Sequence, residues 1–182
     1  AALFPDARDY LDVYERVGLT TSRTILAHCI HFDDSEWKRA AALGCGVSHC
    51  PDSNFFLGSG LMPLDKARTF GLKIGLGSDV GAGRTFSIRR VAASAFDTAK
   101  LTGAETSSEE LLWYATAGGA RVLGLEQSIG ALQPGWDADM VAIDLTNPHL
   151  DDVATLCDQL VFRHDAGPVA AAYVRGRRLG GA

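Results

Sequence analysis

Three short apolar runs in this chain each end in a side chain that can bind a metal ion or transfer a proton. The runs are residues 24–28, 45–49 and 72–79, and they end at His28, His49 and Asp79. Each has the length of a buried strand and is followed by a loop and then a helical pattern. That order predicts parallel strands, whose C-terminal ends lie on one rim of a sheet. We expect the three side chains to converge there, where two imidazoles and a carboxylate suggest metal-assisted hydrolysis.

The pattern along the chain predicts an α/β fold with strands and helices in alternation. Helices are expected over residues 6–17, 33–43, 61–70, 86–101 and 107–123, the last interrupted at Gly118-Gly119, with a loop over 52–60. After Leu125 the character changes, and we expect a strand at 138–144, a helix at 151–162 and a hairpin at 169–179 that turns at Arg175-Gly176. These signals divide the chain into residues 1–125, part of a β/α barrel that carries the site, and residues 126–182, a β-rich segment.

Length and composition narrow the fold and the partners. The chain has 182 residues, whereas a complete α/β barrel has about 250, so we expect part of a larger barrel. A net charge of −5 argues against a nucleic-acid partner. No apolar run approaches the ~18 residues of a membrane span. The four cysteines lack the spacing of a disulfide framework, which favours free thiols in a reducing cytosol.

The candidate side chains differ in how strongly the sequence supports them. A carboxylate that ends a buried strand, as Asp79 does, is costly without a partner, and a metal ion or a transferred proton supplies one. His28 and His31 form an H-x-x-H pair, but positions i and i+3 of a strand face opposite ways. We therefore predict His28 as the metal ligand and His31 as a substrate contact or a structural residue. His49 has either a core or a functional role.

Several stretches resemble the amidohydrolase superfamily of metal-dependent hydrolases. The matching segments are residues 27–31, 48–60, 74–83, 116–125 and 129–141. The S-N-x-x-L-G-S-G loop, together with D-V-G-A-G, is most similar to the branch of the superfamily that deaminates guanine. The resemblance implies a TIM (β/α)8 barrel with one zinc ion at its mouth. It places this chain in the C-terminal half of that barrel, followed by part of a small β-sandwich.

The resemblance also implies roles for individual residues. His28 and Asp79 correspond to metal ligands, Asp79 also to the proton-transfer group, and His49 to the residue that hydrogen-bonds the attacking water or the tetrahedral intermediate. All three and His31 correspond to positions around the substrate. The reaction implied is zinc-dependent hydrolysis of guanine to xanthine and ammonia. The His-x-His pair that supplies two further zinc ligands in the superfamily is not in this sequence.

Two alternatives stay open from the sequence. One is another amidohydrolase, a deaminase or chlorohydrolase that acts on an adenosine-type or triazine ring. The other is a non-catalytic lobe that assembles with a partner half, since these residues by themselves do not complete the metal site. For the guanine-deaminating enzyme that the resemblance implies, the partner is a small purine substrate. A homodimer is the default assembly, and the cytosol is the expected compartment.

Overall fold

The computed structural model describes residues 3–145, 153–163 and 167–180. Within these ranges the helices are Tyr10–Arg16 (α1), Asp34–Ala42 (α2), Pro51–Leu57 (α3), Leu64–Thr69 (α4), Ile88–Thr102 (α5), Ser108–Ala115 (α6), Ala117–Leu123 (α7) and Val153–Phe162 (α8). The strands are Ile25–Ala27 (β1), Gly46–His49 (β2), Lys73–Leu76 (β3), Met140–Ile143 (β4), Val169–Val174 (β5) and Arg177–Arg178 (β6). None of the described helices is both long enough and apolar enough to cross a membrane.

The first three strands form one parallel sheet in the order β1-β2-β3. Ala27 lies opposite Ser48 on β2, and His49 lies opposite Leu76 on β3. Val47, near the centre of the sheet, is fully buried. The predicted parallel pairing of these strands is confirmed, and with it the expectation that their C-terminal ends share one edge.

One apolar core packs the helices against this sheet. It includes fully buried Leu11 of α1, Trp37 of α2, Leu111 of α6 and Val161 of α8. Helix α8 packs on α5 and α6, and the Phe96 and Phe162 rings meet edge to face with centroids 4.8 Å apart. Helix α8 lies after the predicted boundary at residue 126, yet it contributes to this core. The division of the chain into two segments stays a prediction.

The predicted loop over residues 52–60 is wrong, because most of it is helix α3. Pro51 occupies the first helical turn, where its fixed φ suits a helix and its missing N–H costs nothing. Gly58 ends the helix in the left-handed conformation, with φ of 65°. The sequence Asp-Ser-Asn looks like a loop by composition, since each of these residues favours turns.

Two predicted elements are shorter in the structure, and one predicted helix is interrupted at a different residue. The helix expected over 61–70 begins only at Leu64, after Pro63 at the N-cap position. The run over 72–79 is strand only as far as Leu76, so Asp79 lies in the loop beyond it. The helix over 107–123 breaks at Thr116, not at the two glycines, which lie inside α7.

The last three strands form a separate antiparallel sheet in the order β4-β5-β6. Its predicted hairpin is confirmed: Arg175 and Gly176 both have positive φ, 49° and 73°, as a two-residue type I′ turn requires. The Arg175 N–H donates to Asp139 Oδ1 at 2.7 Å. Residues 151 and 152 of the predicted helix over 151–162 lie outside the described residues, and the rest of that helix is α8.

The close approach of α7 to β3 gives a stability prediction. A Cβ on Gly118 would lie 2.8 Å from the Ile74 carbonyl oxygen and 2.9 Å from Trp113 Cζ3. Gly118→Ala should therefore lower the free energy of unfolding by about 1–3 kcal/mol, the cost of overpacking. A Cβ on Gly119 would meet only the Tyr114 carbonyl oxygen, at an ordinary 3.5 Å. Gly119→Ala should be neutral or stabilising by up to about 1 kcal/mol. Urea unfolding of both variants checks this, and equal losses would contradict it.

Candidate active site

His28 and Asp79 meet at the C-terminal edge of the parallel sheet. His28 Nε2 and Asp79 Oδ2 are 3.7 Å apart, and each side chain is about one-third exposed (37% and 36%). The His28 N–H still donates to the Ser48 carbonyl at 3.0 Å, so the residue is tied to the sheet although β1 ends before it. Both residues have left-handed backbones, with φ of 68° and 48°. Two of the predicted site residues are thus neighbours.

The His28 ring is oriented by Asn54 of α3. His28 Nδ1 and Asn54 Oδ1 are 2.8 Å apart. Because an amide oxygen can only accept, the Nδ1 atom carries the proton in this bond and Nε2 presents its lone pair. That lone pair faces the Asp79 carboxylate oxygen. Two acceptors this close repel each other unless a proton or a cation lies between them.

The same helix also holds Asp79. The Ser53 hydroxyl donates to Asp79 Oδ2 at 2.5 Å. Ser53 and Asn54 are each 1% exposed, so the α3 partner in each bond is shielded from water. The approach of the Asp79 loop to β2 depends on Gly77, where an added Cβ would overlap the Ser48 hydroxyl and lie 2.9 Å from Cys50 Sγ.

His49 is a buried, neutral imidazole. It ends β2 and is 1% exposed. Burial, and to a smaller extent the repulsion that a protonated His28 would exert, lower its pKa from 6.5 to about 3. Neither ring nitrogen has a hydrogen-bond partner among the residues that the structure describes. Buried polar groups nearly always have partners, so an unpaired imidazole at this edge is suited to bind a group that the chain itself does not supply.

His31 is not joined to the other three residues. It is exposed, and its Cε1 would lie 3.8 Å from a Cβ built on Gly60. No hydrogen bond or ion pair among the described residues connects it with His28, His49 or Asp79. A substrate contact by His31 stays a prediction.

An ion pair between a buried carboxylate and a partly exposed arginine fixes the loop that follows Asp79. Asp52 of α3 is fully buried and accepts from the Arg84 backbone N–H at 2.9 Å and from Arg84 Nη2 at 2.6 Å. Arg90 Nε lies 3.9 Å from Asp52 Oδ1. Burial tends to raise the pKa of Asp52, but the Arg84 bonds outweigh it and the pKa is lowered overall. The carboxylate therefore stays charged and binds the loop to the helix.

The residues present fit a metal ion, although they do not enclose one. Among the residues that the structure describes, no group of three or more His, Cys, Asp and Glu could hold a metal. His28 and Asp79 offer one nitrogen and one oxygen donor 3.7 Å apart. Two ligands about 2.0–2.2 Å from one zinc ion lie roughly 3.3–3.6 Å apart at the tetrahedral angle. The Nδ1 bond to Asn54 is the second contact that metal-binding histidines ordinarily make.

Three polar residues of this site were missed by sequence reasoning: Asp52, Ser53 and Asn54. They fell in the predicted loop, where polar residues are expected to be solvated. The available signal was Pro51 directly after a strand-ending histidine, since proline is common at the first position of a helix.

Comparison with known proteins identifies the family. The model of the amidohydrolase family matches residues 3–179, and the chain therefore belongs to that family of metal-dependent hydrolases. The resemblance that the sequence motifs indicated is confirmed. The β1–β3 sheet with its helices is consistent with the TIM-barrel enzymes of the family, of which the chain covers only a part.

Within the family the chain is similar to guanine deaminases. It is 38% identical to guanine deaminase of Escherichia coli (strain K12), over 97% of this chain and 42% of that protein. A solved structure of the E. coli guanine deaminase matches with a TM-score of 0.92 and 35% identity, covering 100% of this chain and 44% of that chain. The chain thus spans less than half of the length of this relative.

Two further solved structures carry ligands. The guanine deaminase from C. acetobutylicum with guanine bound in its active site matches with a TM-score of 0.83 and 29% identity, over 98% of this chain and 44% of that one. An adenosine deaminase from Xanthomonas campestris with bound zinc matches with a TM-score of 0.76 and 30% identity, over 92% and 39% of the two chains.

The buried His49 predicts a pH-dependent stability. Below pH 6.5 the unfolded chain gains a proton on this imidazole, whereas the folded chain gains it only near pH 3. The unfolded state therefore binds more protons in this window, and the free energy of unfolding falls as the pH falls. His49→Gln should show a shallower decrease than the wild type between about pH 7 and about pH 5. His31→Gln, which keeps the buried imidazole, should retain the wild-type slope. Urea unfolding in the presence of a chelator measures both, and identical slopes for all three proteins would contradict the assignment.

Proposed function

We propose that the protein formed by this chain catalyses the hydrolytic deamination of guanine, in which guanine and water give xanthine and ammonia. The observation that carries the proposal is the His28–Asp79 pair, 3.7 Å apart at the strand ends. The proposal is also supported by the similarity of this chain to guanine deaminases, which extends over nearly the whole chain.

His28 Nε2 and Asp79 are the residues of this chain that would hold a zinc ion. A bound zinc ion supplies a water molecule whose pKa is lowered toward 7. The protein's own contribution is to present a neutral imidazole nitrogen and a carboxylate to the cation. The Asn54 and Ser53 hydrogen bonds keep both groups in place while substrate enters and product leaves.

Asp79 moves the proton in this proposal. Its Oδ2 atom accepts from Ser53 and faces His28, whereas no hydrogen bond among the described residues occupies Oδ1. Asp79 Oδ1 is therefore the atom placed to take a proton from the water that attacks C2 of guanine. It then delivers that proton to the leaving amino group, so one carboxylate acts first as base and then as acid.

His49 stabilises the tetrahedral intermediate through a hydrogen bond to the oxygen that attacks. Because its pKa lies far below neutral, the imidazole is neutral and one ring nitrogen carries a hydrogen. That N–H would donate to the oxygen that adds at C2, as an oxyanion-hole donor does. The burial of His49 strengthens such a bond, because the surroundings hold little competing water. His31 contacts the purine at the exposed margin of the site.

The compartment and assembly belong to the same proposal. Cys29, Cys45, Cys50 and Cys157 are all free thiols, which favours a reducing compartment such as the cytosol. There the reaction would serve purine breakdown. A homodimer is the expected assembly, and sedimentation of the purified protein tests it.

A substrate panel tests the proposed reaction. The full-length protein, purified with zinc, should release ammonia from guanine and not from adenine, cytosine or S-adenosylhomocysteine. Ammonia release and the ultraviolet spectrum of xanthine are the measurements. Turnover of adenine, cytosine or S-adenosylhomocysteine in place of guanine would assign the protein to another branch of the family. No turnover of any of them would favour a non-catalytic lobe.

The role of Asp79 gives a sharper prediction. Asp79→Asn removes the proton-carrying carboxylate and should lower kcat for guanine by at least about 10²–10⁴-fold, the usual contribution of general acid–base catalysis. Asp97→Asn is the matched control, since it neutralises an exposed carboxylate on α5. Circular dichroism should show both variants folded. Appreciable activity in a folded Asp79→Asn protein would remove Asp79 from the mechanism.

A further inference from the structure

Three consecutive side chains at the start of α3 each bind a different segment of the site. Asn54 Oδ1 accepts from His28 Nδ1 at 2.8 Å, and the Ser53 hydroxyl donates to Asp79 Oδ2 at 2.5 Å. Asp52 accepts from the backbone and the side chain of Arg84. All three are nearly or fully buried, at 0%, 1% and 1% exposure. One turn of helix thus contacts both predicted metal ligands and the loop beyond them.

The bond to Asn54 determines what His28 can do. An imidazole has two tautomers and rotates about its χ2 bond, and only one combination directs a lone pair at Nε2 toward Asp79. Since the amide oxygen accepts from Nδ1, that combination is selected before any ion arrives. Ser53 acts in the same way on Asp79, because its bond to Oδ2 limits rotation of the carboxylate.

Stability alone does not account for Asn54. Its Nδ2 atom is buried and has no hydrogen-bond partner in the described part of the chain, and an unpaired buried donor costs free energy. An apolar residue of similar volume would avoid that cost. Asn54 therefore retains a destabilising feature next to a histidine that it orients, a combination typical of functional sites.

We infer that Asn54 is a positioning residue for the metal site: it fixes the tautomer and orientation of His28, as Ser53 fixes Asp79, from the first turn of α3. This inference rests on the proposed function only in that it takes His28 and Asp79 as metal ligands. It does not depend on which substrate the protein hydrolyses.

The experiment compares zinc affinity among variants of the full-length protein. Asn54→Leu keeps the volume but removes the acceptor, and should weaken zinc binding about 10–100-fold, the usual effect of losing such a contact. Asn54→Asp keeps an acceptor oxygen at the same position and should bind zinc more tightly than Asn54→Leu. Thr98→Val is the matched control, because Thr98 is fully buried and donates only to the Ser94 carbonyl. Competition with a chromophoric chelator gives the affinity, and thermal unfolding of the metal-free proteins gives the stability.

The outcomes separate positioning from general destabilisation. The inference is supported if Asn54→Leu binds zinc more weakly than Thr98→Val at a similar loss of stability. Asn54→Asp should then recover part of the zinc affinity. Equal zinc affinities, losses that follow stability alone, or a wild-type protein that binds no zinc overturn it. The guanine assay is run separately, so a protein whose zinc affinity depends on Asn54 but which leaves guanine intact would refute only the proposed reaction.

Discussion

The parallel hydrogen-bonded ladder of β1, β2 and β3 is the constraint on which the site depends. Its register continues past the strands, since the His28 N–H donates to the Ser48 carbonyl and the Gly77 N–H donates to the His49 carbonyl. These bonds fix where the backbone leaves the sheet on either side of β2. Without them His28 and Asp79, which are far apart in sequence, would have no common frame.

The backbone turns sharply as soon as the ladder ends. His28, Cys29 and Asp79 have left-handed φ values of 68°, 48° and 48°, a conformation that is unfavourable for residues other than glycine. Such strain persists only where the surroundings determine the conformation more strongly than the backbone does, and it clusters at functional sites. Here the ladder holds one side of the turn, while the hydrogen bonds from α3 hold the side chains. The left-handed turns thus lie where the chain leaves the sheet and brings His28 and Asp79 next to each other.

The sequence predicted the framework well, because apolar periodicity reports directly on buried strands and amphipathic helices. It identified β1–β3, their parallel order, the Arg175-Gly176 hairpin and the convergence of His28 with Asp79. It did not predict α3, since residues 52–54 have turn-forming side chains and the contacts that stabilise them lie more than twenty residues away. It also put the break near α7 at Gly118-Gly119, where glycine instead permits close packing on Ile74. Local sequence patterns carry no information about contacts between residues that are far apart in the chain.

The helical form of residues 51–57 is itself explained by the site. In a strand, successive side chains point to two opposite faces, so three consecutive residues could reach only two directions. In an α-helix each residue is rotated by about 100° from the last. Asp52, Ser53 and Asn54 can therefore reach Arg84, Asp79 and His28 respectively, which lie in three different directions from the helix. A loop could reach the same groups, but it would have to hold three buried polar side chains without the support of its own backbone hydrogen bonds. The helix thus converts a polar tripeptide into a rigid element that links both ligand-bearing turns.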